Sequence, residues 1–260
     1  MPTMLKEERL QRILEVIVKA GHAKASDLAG NFGVSEITIR RDLNVLAERG
    51  FIRRIHGGAI ISNVTRGDPP VLHRMNEEKE CKEAIAKTAA SRINNGESIF
   101  IGSGSTVAYV TRYLSDHKNL TVITNALNIG LDLVSAAAIT VVILGGMMHH
   151  KELSLIGHIT EQSMREVTFD KVIIGIPAID LKAGLTNEFL PEVMTDRAIL
   201  NQTREVILLA DHTKCGKVAS AVVAPLNRVN YFITDELTSQ EFLDGVRALG
   251  VKVIVAKNGV

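Results

Sequence analysis

Val34-Ser35-Glu36-Ile37-Thr38-Ile39-Arg40-Arg41-Asp42-Leu43, running on through Leu46 to Gly50, is the stretch on which the fold of this 260-residue chain turns. Ser35 meets the N-cap requirement of a helix, because its hydroxyl can accept from an unsatisfied first-turn amide. Ile39, Leu43 and Leu46 then share an inward stripe, and Gly50 ends the run. Thr38, Arg40 and Arg41 are left pointing elsewhere. Upstream, Asn31-Phe32-Gly33-Val34 suits a tight turn, and Leu28, Ala29 and Phe32 belong to a helix of about two turns that Ser26 can cap. Leu5, Leu10, Ile13, Leu14 and Ile17 recur at helical spacing, so residues 4–20 are expected to form an amphipathic helix that stops at Gly21.

A short helix, a tight turn, and a third helix with a hydroxyl and arginines near its start make the helix-turn-helix layout. There the first residues of the last helix meet base edges. Arginine commonly reads guanine, and both arginine and threonine contact phosphates. Past Gly50, Phe51-Ile52-Arg53-Arg54-Ile55-His56 alternates apolar and basic residues before Gly57-Gly58, the pattern of a small β-ribbon with one cationic face. Singly, Arg40-Arg41 could be a solvated helix face and Arg53-Arg54 a charged strand edge. Their order and spacing together favour nucleic acid. Charge agrees: residues 1–60 hold ten Lys/Arg against seven Asp/Glu, while the remainder holds 20 against 22.

The run from Val34 to Leu43, continued by Arg54-Ile55-His56-Gly57-Gly58-Ala59, resembles the signature of the DeoR family of bacterial transcription regulators. That resemblance implies that Ser35, Thr38, Arg40 and Arg41 face the major groove or its phosphates and that Arg53, Arg54 and His56 lie on the wing. Asp42 is expected to orient an arginine or cap locally, since phosphates repel a carboxylate.

From Gly58 periodicity lapses, and Thr65-Arg66-Gly67-Asp68-Pro69-Pro70 reads as a linker. The expected organisation is a winged helix-turn-helix over 1–58, a linker over 59–73, and a larger domain over 74–260. A helix is expected from Arg74 to Arg92. Beyond it, apolar runs at Ser98–Ile101, Leu120–Thr124, Thr140–Leu144, Lys171–Ile176, Glu205–Ala210, Tyr231–Thr234 and Val251–Val255 alternate with helical stretches. This predicts an α/β domain with a mainly parallel sheet, whose ligands bind at the carboxyl ends of strands.

At one such end, before an expected helix over Val107–Leu114, stands Gly102-Ser103-Gly104-Ser105-Thr106, which is either a structural turn or an anion cradle of amides and hydroxyls. It matches neither a dinucleotide fingerprint nor a nucleotide P-loop. Thr124-Asn125 and Gly145-Gly146 end two further strands, as turns or as hydrogen-bonding sites. Lys214, after another strand, is a candidate phosphate neutraliser or a solvated loop charge.

These segments, with Phe169-Asp170, Gly175 to Asp180, Gly184-Leu185-Thr186 and Asp211 to Lys214, follow the order of the DeoR-family effector domain. The resemblance therefore covers nearly the whole chain. That domain is similar in fold to ribose-5-phosphate isomerases, which implies a phosphorylated sugar or similar effector, with Asp180 among its contacts. Family members commonly carry aspartate where Gly102 stands.

The expected function is a repressor of carbohydrate-metabolism genes that binds operator DNA as a homo-oligomer, dimer or tetramer, under small-molecule control. A rival is an active sugar-phosphate isomerase fused to a DNA-binding domain. Proton transfer between sugar carbons needs a positioned carboxylate, and Gly175-Ile176-Pro177-Ala178-Ile179-Asp180 retains only the last acid of the corresponding isomerase segment; Glu188 or Glu192 could substitute. A metal hydrolase built on His149-His150 with His158 or Glu152 lacks ligand spacing. Cys81 and Cys215 suit neither a disulfide framework nor a thiolate zinc site, so no metal and no cofactor are expected. No apolar run approaches the roughly 20 residues that span a bilayer, and the first residues lack a signal-peptide core, which points to the cytoplasm and away from membranes.

Overall fold

Leu10, Ile13, Leu14 and Ile17 are buried along one face of the first helix, α1 (Lys6–Ala20), as their spacing requires. The structure, a computed structural model, describes residues 6–48, 51–61, 69–203 and 205–257. The chain divides into two compact units, Met1–Gly67 and Asp68–Val260.

In the first unit, α1 is followed by β1 (His22–Lys24), α2 (Ala25–Phe32), α3 (Glu36–Glu48), β2 (Ile52–Ile55) and β3 (Gly58–Ile61). The α1 stripe packs with Leu28, Ile39, Leu43, Leu46, Ile52 and Ala59. Gly33 closes α2 in the left-handed region (φ 63°), and the Ser35 hydroxyl caps α3 by accepting from the Thr38 amide at 3.2 Å.

The start of α2 departs from expectation. Lys24 occupies its N-cap, Ser26 lies inside the first turn, and the Ser26 hydroxyl donates to Asp27. The reason is β1, which leads straight into the helix, so that the Ala25 amide is satisfied by the Gly57 carbonyl at 2.8 Å instead of by a side chain. The three strands form an antiparallel sheet in the order β1-β3-β2. A Cβ on Gly58 would strike the Ala23 carbonyl, so this close approach requires glycine. The wing therefore runs on past residue 58 through β3, whereas the expected stop at Gly50 and residues 62–68 of the expected linker lie outside the described residues.

The second unit begins with α4 (Val71–Arg74), α5 (Lys79–Ala90), β4 (Ser98–Ile101), α6 (Ser105–Ala108), β5 (Leu120–Thr124), α7 (Leu127–Asp132), β6 (Ile139–Ile143), β7 (Met147–His149), β8 (Ser154–Ile156) and α8 (His158–Met164). It continues with β9 (Lys171–Ile174), β10 (Ala178–Asp180), β11 (Gly184–Asn187), α9 (Leu190–Asn201), β12 (Glu205–Leu209), β13 (Ala221–Ala224), β14 (Tyr231–Asp235), α10 (Gln240–Ala248) and β15 (Lys252–Ala256). The seven apolar runs become one seven-stranded sheet, β15-β14-β12-β9-β4-β5-β6, parallel throughout. Alternate residues face opposite sides. Phe100, Val172, Leu208 and Phe232 enter one core, and Ile99, Ile101, Ile173, Ile207 and Ile233 enter the other.

Two helices differ from expectation. The stretch from Arg74 to Arg92 is broken between α4 and α5, with Glu78 in the left-handed region at φ 47°. The segment after the glycine-rich loop is one α-turn, α6, that tightens into a 3-10 turn over Tyr109–Tyr113. The antiparallel sheet β10-β11-β13 and the β7-β8 hairpin accompany the main sheet. Among the described residues no helix is long and apolar enough to cross a membrane.

Candidate functional site

In the first unit, α3 has two faces of opposite character. Ile39, Asp42, Leu43 and Leu46 are buried, whereas Ile37, Arg40, Arg41 and Asn44 are exposed at positions i, i+3, i+4 and i+7, a single outward stripe. Ile37 is 64% exposed, and neither it nor Asn44 carries a charge that singles it out in the sequence. Arg40 lies 3.5 Å from Glu36 on the same helix. Asp42 takes no part in this face: it is buried and pairs with Arg9 of α1 at 2.6 Å, raising the pKa of that guanidinium through the hydrogen bond.

Ser35 and Thr38 sit together at the start of α3 with their hydroxyl oxygens 3.0 Å apart. Arg54 of β2 reaches back to the helix, donating to Asn44 Oδ1 at 2.7 Å and to the Arg40 carbonyl at 3.0 Å. His56 is exposed at the wing turn, and the Arg53 side chain lies outside the described residues.

In the second unit, a cavity of about 40 Å³ opens at the carboxyl ends of the three central strands. After β4 come Ser103, Gly104, Ser105 and Thr106, after β9 Gly175, Ile176 and Pro177, and at the end of β12 Leu209 and then Ala210, with Lys214 beyond them. A cavity of this size holds on the order of three water-sized groups, room for a compact anion. Lys214 is carried by a 3-10 turn (His212–Lys214) that Asp211 caps through the Thr213 amide. Asp211 is in turn buried against Lys82 at 3.0 Å; burial opposes its charge, but Lys82 and Thr213 outweigh that and hold its carboxyl below the ordinary range.

The opposite wall is acidic. Glu152 comes from the β7-β8 turn, Asn187 from β11, and Glu192 and Asp196 from α9, and Arg74 of α4 pairs with Glu152. Asn187 Nδ2 bridges the last two acids, at 3.1 Å from Glu192 and 3.2 Å from Asp196. The acids are driven apart in proton affinity. Burial raises the Glu152 carboxyl against the pull of Arg74, and burial together with the Glu192 charge holds Asp196 well above the carboxylate range. Burial opposes the Glu192 charge too, yet hydrogen bonds from His149, Asn187 and Ser154 win and lower its pKa.

Six residues expected to hold the effector lie outside this cavity, each for a structural reason visible in its contacts. Thr124 is fully buried and closes its own turn, donating to the Ile101 carbonyl and accepting from the Ala126 amide. Asn125 donates to the Leu155 carbonyl, and Gly145 accepts from Thr160 beside Gly146. Asp180 accepts from the Ala183 and Lys182 amides, which lower its pKa and hold the β10-β11 turn. Gly102 packs against the β9 end, where a Cβ would come within 3.2 Å of Ile174. Conversely, Arg74, Asn187 and Asp196 line the cavity although no motif in the sequence marks them. The histidines at 149, 150 and 158 form no ligand group among the described residues: His149 stacks on Phe189 at 4.2 Å and faces Glu192.

Known proteins share both units. Residues 9–65 match the family described as DeoR-like helix-turn-helix domain, and residues 77–236 match DeoR C terminal sensor domain. The chain is similar to the glycerol-3-phosphate regulon repressor of Escherichia coli strain K12, with 34% identity over 232 residues, 89% of this chain and 92% of that protein. It is also similar to the transcriptional repressor GlcR of Bacillus subtilis strain 168, with 31% identity over 254 residues and 98% of each chain. A ribose 5-phosphate isomerase A structure from Methanocaldococcus jannaschii aligns over 54% of this chain and 55% of that one, at 17% identity and a TM-score of 0.40.

Proposed function

Because this chain belongs to the DeoR family of DNA-binding transcription regulators, we propose that it represses carbohydrate-metabolism genes and that a phosphorylated sugar or polyol held in the cleft sets its operator affinity. The exposed stripe Ile37, Arg40, Arg41 and Asn44 reads the major groove. Arginines suit guanine or phosphate, asparagine suits adenine, and isoleucine suits a thymine methyl group. Ser35 and Thr38 contact the flanking phosphates, as does His56 of the wing, while Arg54 steadies the helix against the wing.

The observation that carries the effector assignment is the bipolar cavity, with Ser103, Ser105, Thr106 and Lys214 on one wall and Glu152, Glu192, Asp196 and Asn187 on the other. Hydroxyls and a lysine suit a phosphate, and a row of carboxyls and an amide suits sugar hydroxyls, which need both acceptors and donors. The same geometry favours binding without turnover. Each acid has a fixed partner, Glu152 in Arg74, Glu192 in Ser154 and Asn187, Asp196 in Asn187, and Asp180, the one acid of the isomerase-like segment, lies outside the cavity.

Homo-oligomerisation through the second unit would place two heads on repeated half-sites, and effector binding would favour a spacing that no longer fits them. The test is thermal stability against a panel of sugar phosphates, polyol phosphates and their unphosphorylated counterparts. A selective rise with phosphorylated members, and loss of operator binding with the same compound, is expected. Equal response to phosphorylated and unphosphorylated members, or to none, would overturn the assignment.

A further inference from the structure

We propose that Glu78, Cys81 and His212 form a binding site for one divalent transition-metal cation of the zinc type. A carboxylate oxygen, the Cys81 sulfur and an imidazole nitrogen of these residues all lie within 4.8 Å of one another, and none of the three residues lines the effector cavity. The site is built on ordered elements. Glu78 immediately precedes α5 and Cys81 stands in its first turn, three residues on and so on the same helical face; His212 opens the 3-10 turn after β12.

The second observation is the fixing of the imidazole. Asp235, fully buried at the end of β14, holds His212 twice, with Oδ1 3.0 Å from Nδ1 and Oδ2 accepting from the His212 amide at 2.7 Å. Binding of Nδ1 by a buried carboxylate sets the tautomer and leaves Nε2 as the free donor, the outer-shell arrangement that orients a metal-ligating histidine. A mixed sulfur, nitrogen and oxygen set suits zinc or cobalt and disfavours magnesium and calcium, which take oxygen donors.

Bond lengths of roughly 2.0–2.3 Å require the three atoms to draw closer than they stand: Glu78 Oε2 accepts from Cys81 Sγ at 4.0 Å, and Glu78, being exposed, has room to move inward. Solvent reaches His212, whose side chain is 26% exposed, so water fills the fourth position. The neighbouring cation, Lys82, is neutralised by Asp211 at 3.0 Å. Coordination releases the thiol proton of Cys81 to the buffer and leaves sulfur as thiolate, with no change in oxidation state. An ion there ties the first turn of α5 to the turn that delivers Lys214 to the cleft.

Cobalt(II) titration of the reduced full-length protein tests this. A near-ultraviolet thiolate-to-cobalt charge-transfer band that saturates at one equivalent and is abolished by added zinc is expected. Cys81→Ser and His212→Gln should each lose the band while retaining a cooperative thermal transition. Cys215→Ser should keep it, because the Cys215 sulfur is not among the three clustered donors. Absence of the band in the unmodified protein, its survival in Cys81→Ser or His212→Gln, or its loss in Cys215→Ser would overturn the site. None of these readouts depends on effector or operator binding, so the effector assignment stands or falls separately.

Discussion

Arg54 on the wing donates to the Asn44 side-chain oxygen 2.7 Å away on α3, joining the wing to the helix that faces outward. The bond is charge-assisted and spans ten residues of sequence, so it ties the wing to α3, the two elements proposed to meet one DNA duplex. A double-mutant cycle of Arg54→Ala and Asn44→Ala, followed by denaturant unfolding, should show a coupling of about 0.5–1.5 kcal/mol. Additive losses would mean that the contact contributes nothing.

Ile37 and Arg41 lie on the same stripe but carry different information. Arg41→Ala should weaken operator binding by about 1–3 kcal/mol and flatten its salt dependence, since a cation leaves the interface. Ile37→Ala should leave the salt slope unchanged and relax discrimination at a single base pair, because a methyl contact has no ionic component. Competition binding against single-base operator variants at two salt concentrations separates the two effects. An unchanged salt slope for Arg41→Ala would place that residue off the DNA.

Sequence made the outlines of both units legible, and of the cleft it showed the glycine-rich loop and Lys214 but not Arg74, Asn187 and Asp196. The five inner parallel strands show as apolar runs because they are buried on both faces, the edge strands β6 and β15 show although partly exposed, and the α3 stripe shows because helical spacing separates Ile39, Leu43 and Leu46 from the arginines. The short strand Gly184–Asn187 gives no such signal: all four residues are buried, two of them polar, with pairing and not side-chain pattern holding them. The acidic wall was hidden for a related reason. Glu192 and Asp196 belong to a helix with polar residues on its buried side, and Glu152 and Arg74 meet only in three dimensions, 78 residues apart. Thr124 and Gly146 look like ligand groups in sequence because tight turns at strand ends use the same residue types.

Lys82 and Asp211 form a buried ion pair beneath the turn that carries Lys214, with side chains 4% and 1% exposed. Removing one partner strands the other charge in a low-dielectric site. Lys82→Met should cost about 3–5 kcal/mol and also weaken effector binding, since Asp211 caps that turn. The double variant Lys82→Met/Asp211→Asn should lose less than the sum of the single changes. Urea unfolding measures both. A loss below about 1 kcal/mol for Lys82→Met would mean that water reaches the pair and screens it.

Asp196 and Glu192 should give the stability curve two limbs with opposite causes. Folding raises the Asp196 pKa, so the folded state favours its neutral form; that stabilisation is complete below the unfolded carboxyl pKa and is lost as pH climbs through the raised folded value. Glu152, also raised, adds to the same limb. Folding lowers the Glu192 pKa, so its contribution is present above the ordinary carboxyl pKa and is lost as pH falls through the folded value. Asp196→Asn fixes the neutral form and should make the limb above the carboxyl range shallower, leaving the part that Glu152 contributes; Glu192→Gln should make the acid limb shallower, leaving the parts of Asp180 and Asp211, and should also reduce the upper limb because the Glu192 charge helps to raise Asp196. Thermal midpoints recorded across pH for the three proteins measure this. A curve for Asp196→Asn that runs parallel to the unmodified protein would mean that Asp196 is ionised in the folded state, and the acidic wall would then offer the sugar acceptors without the donor that a neutral carboxyl supplies.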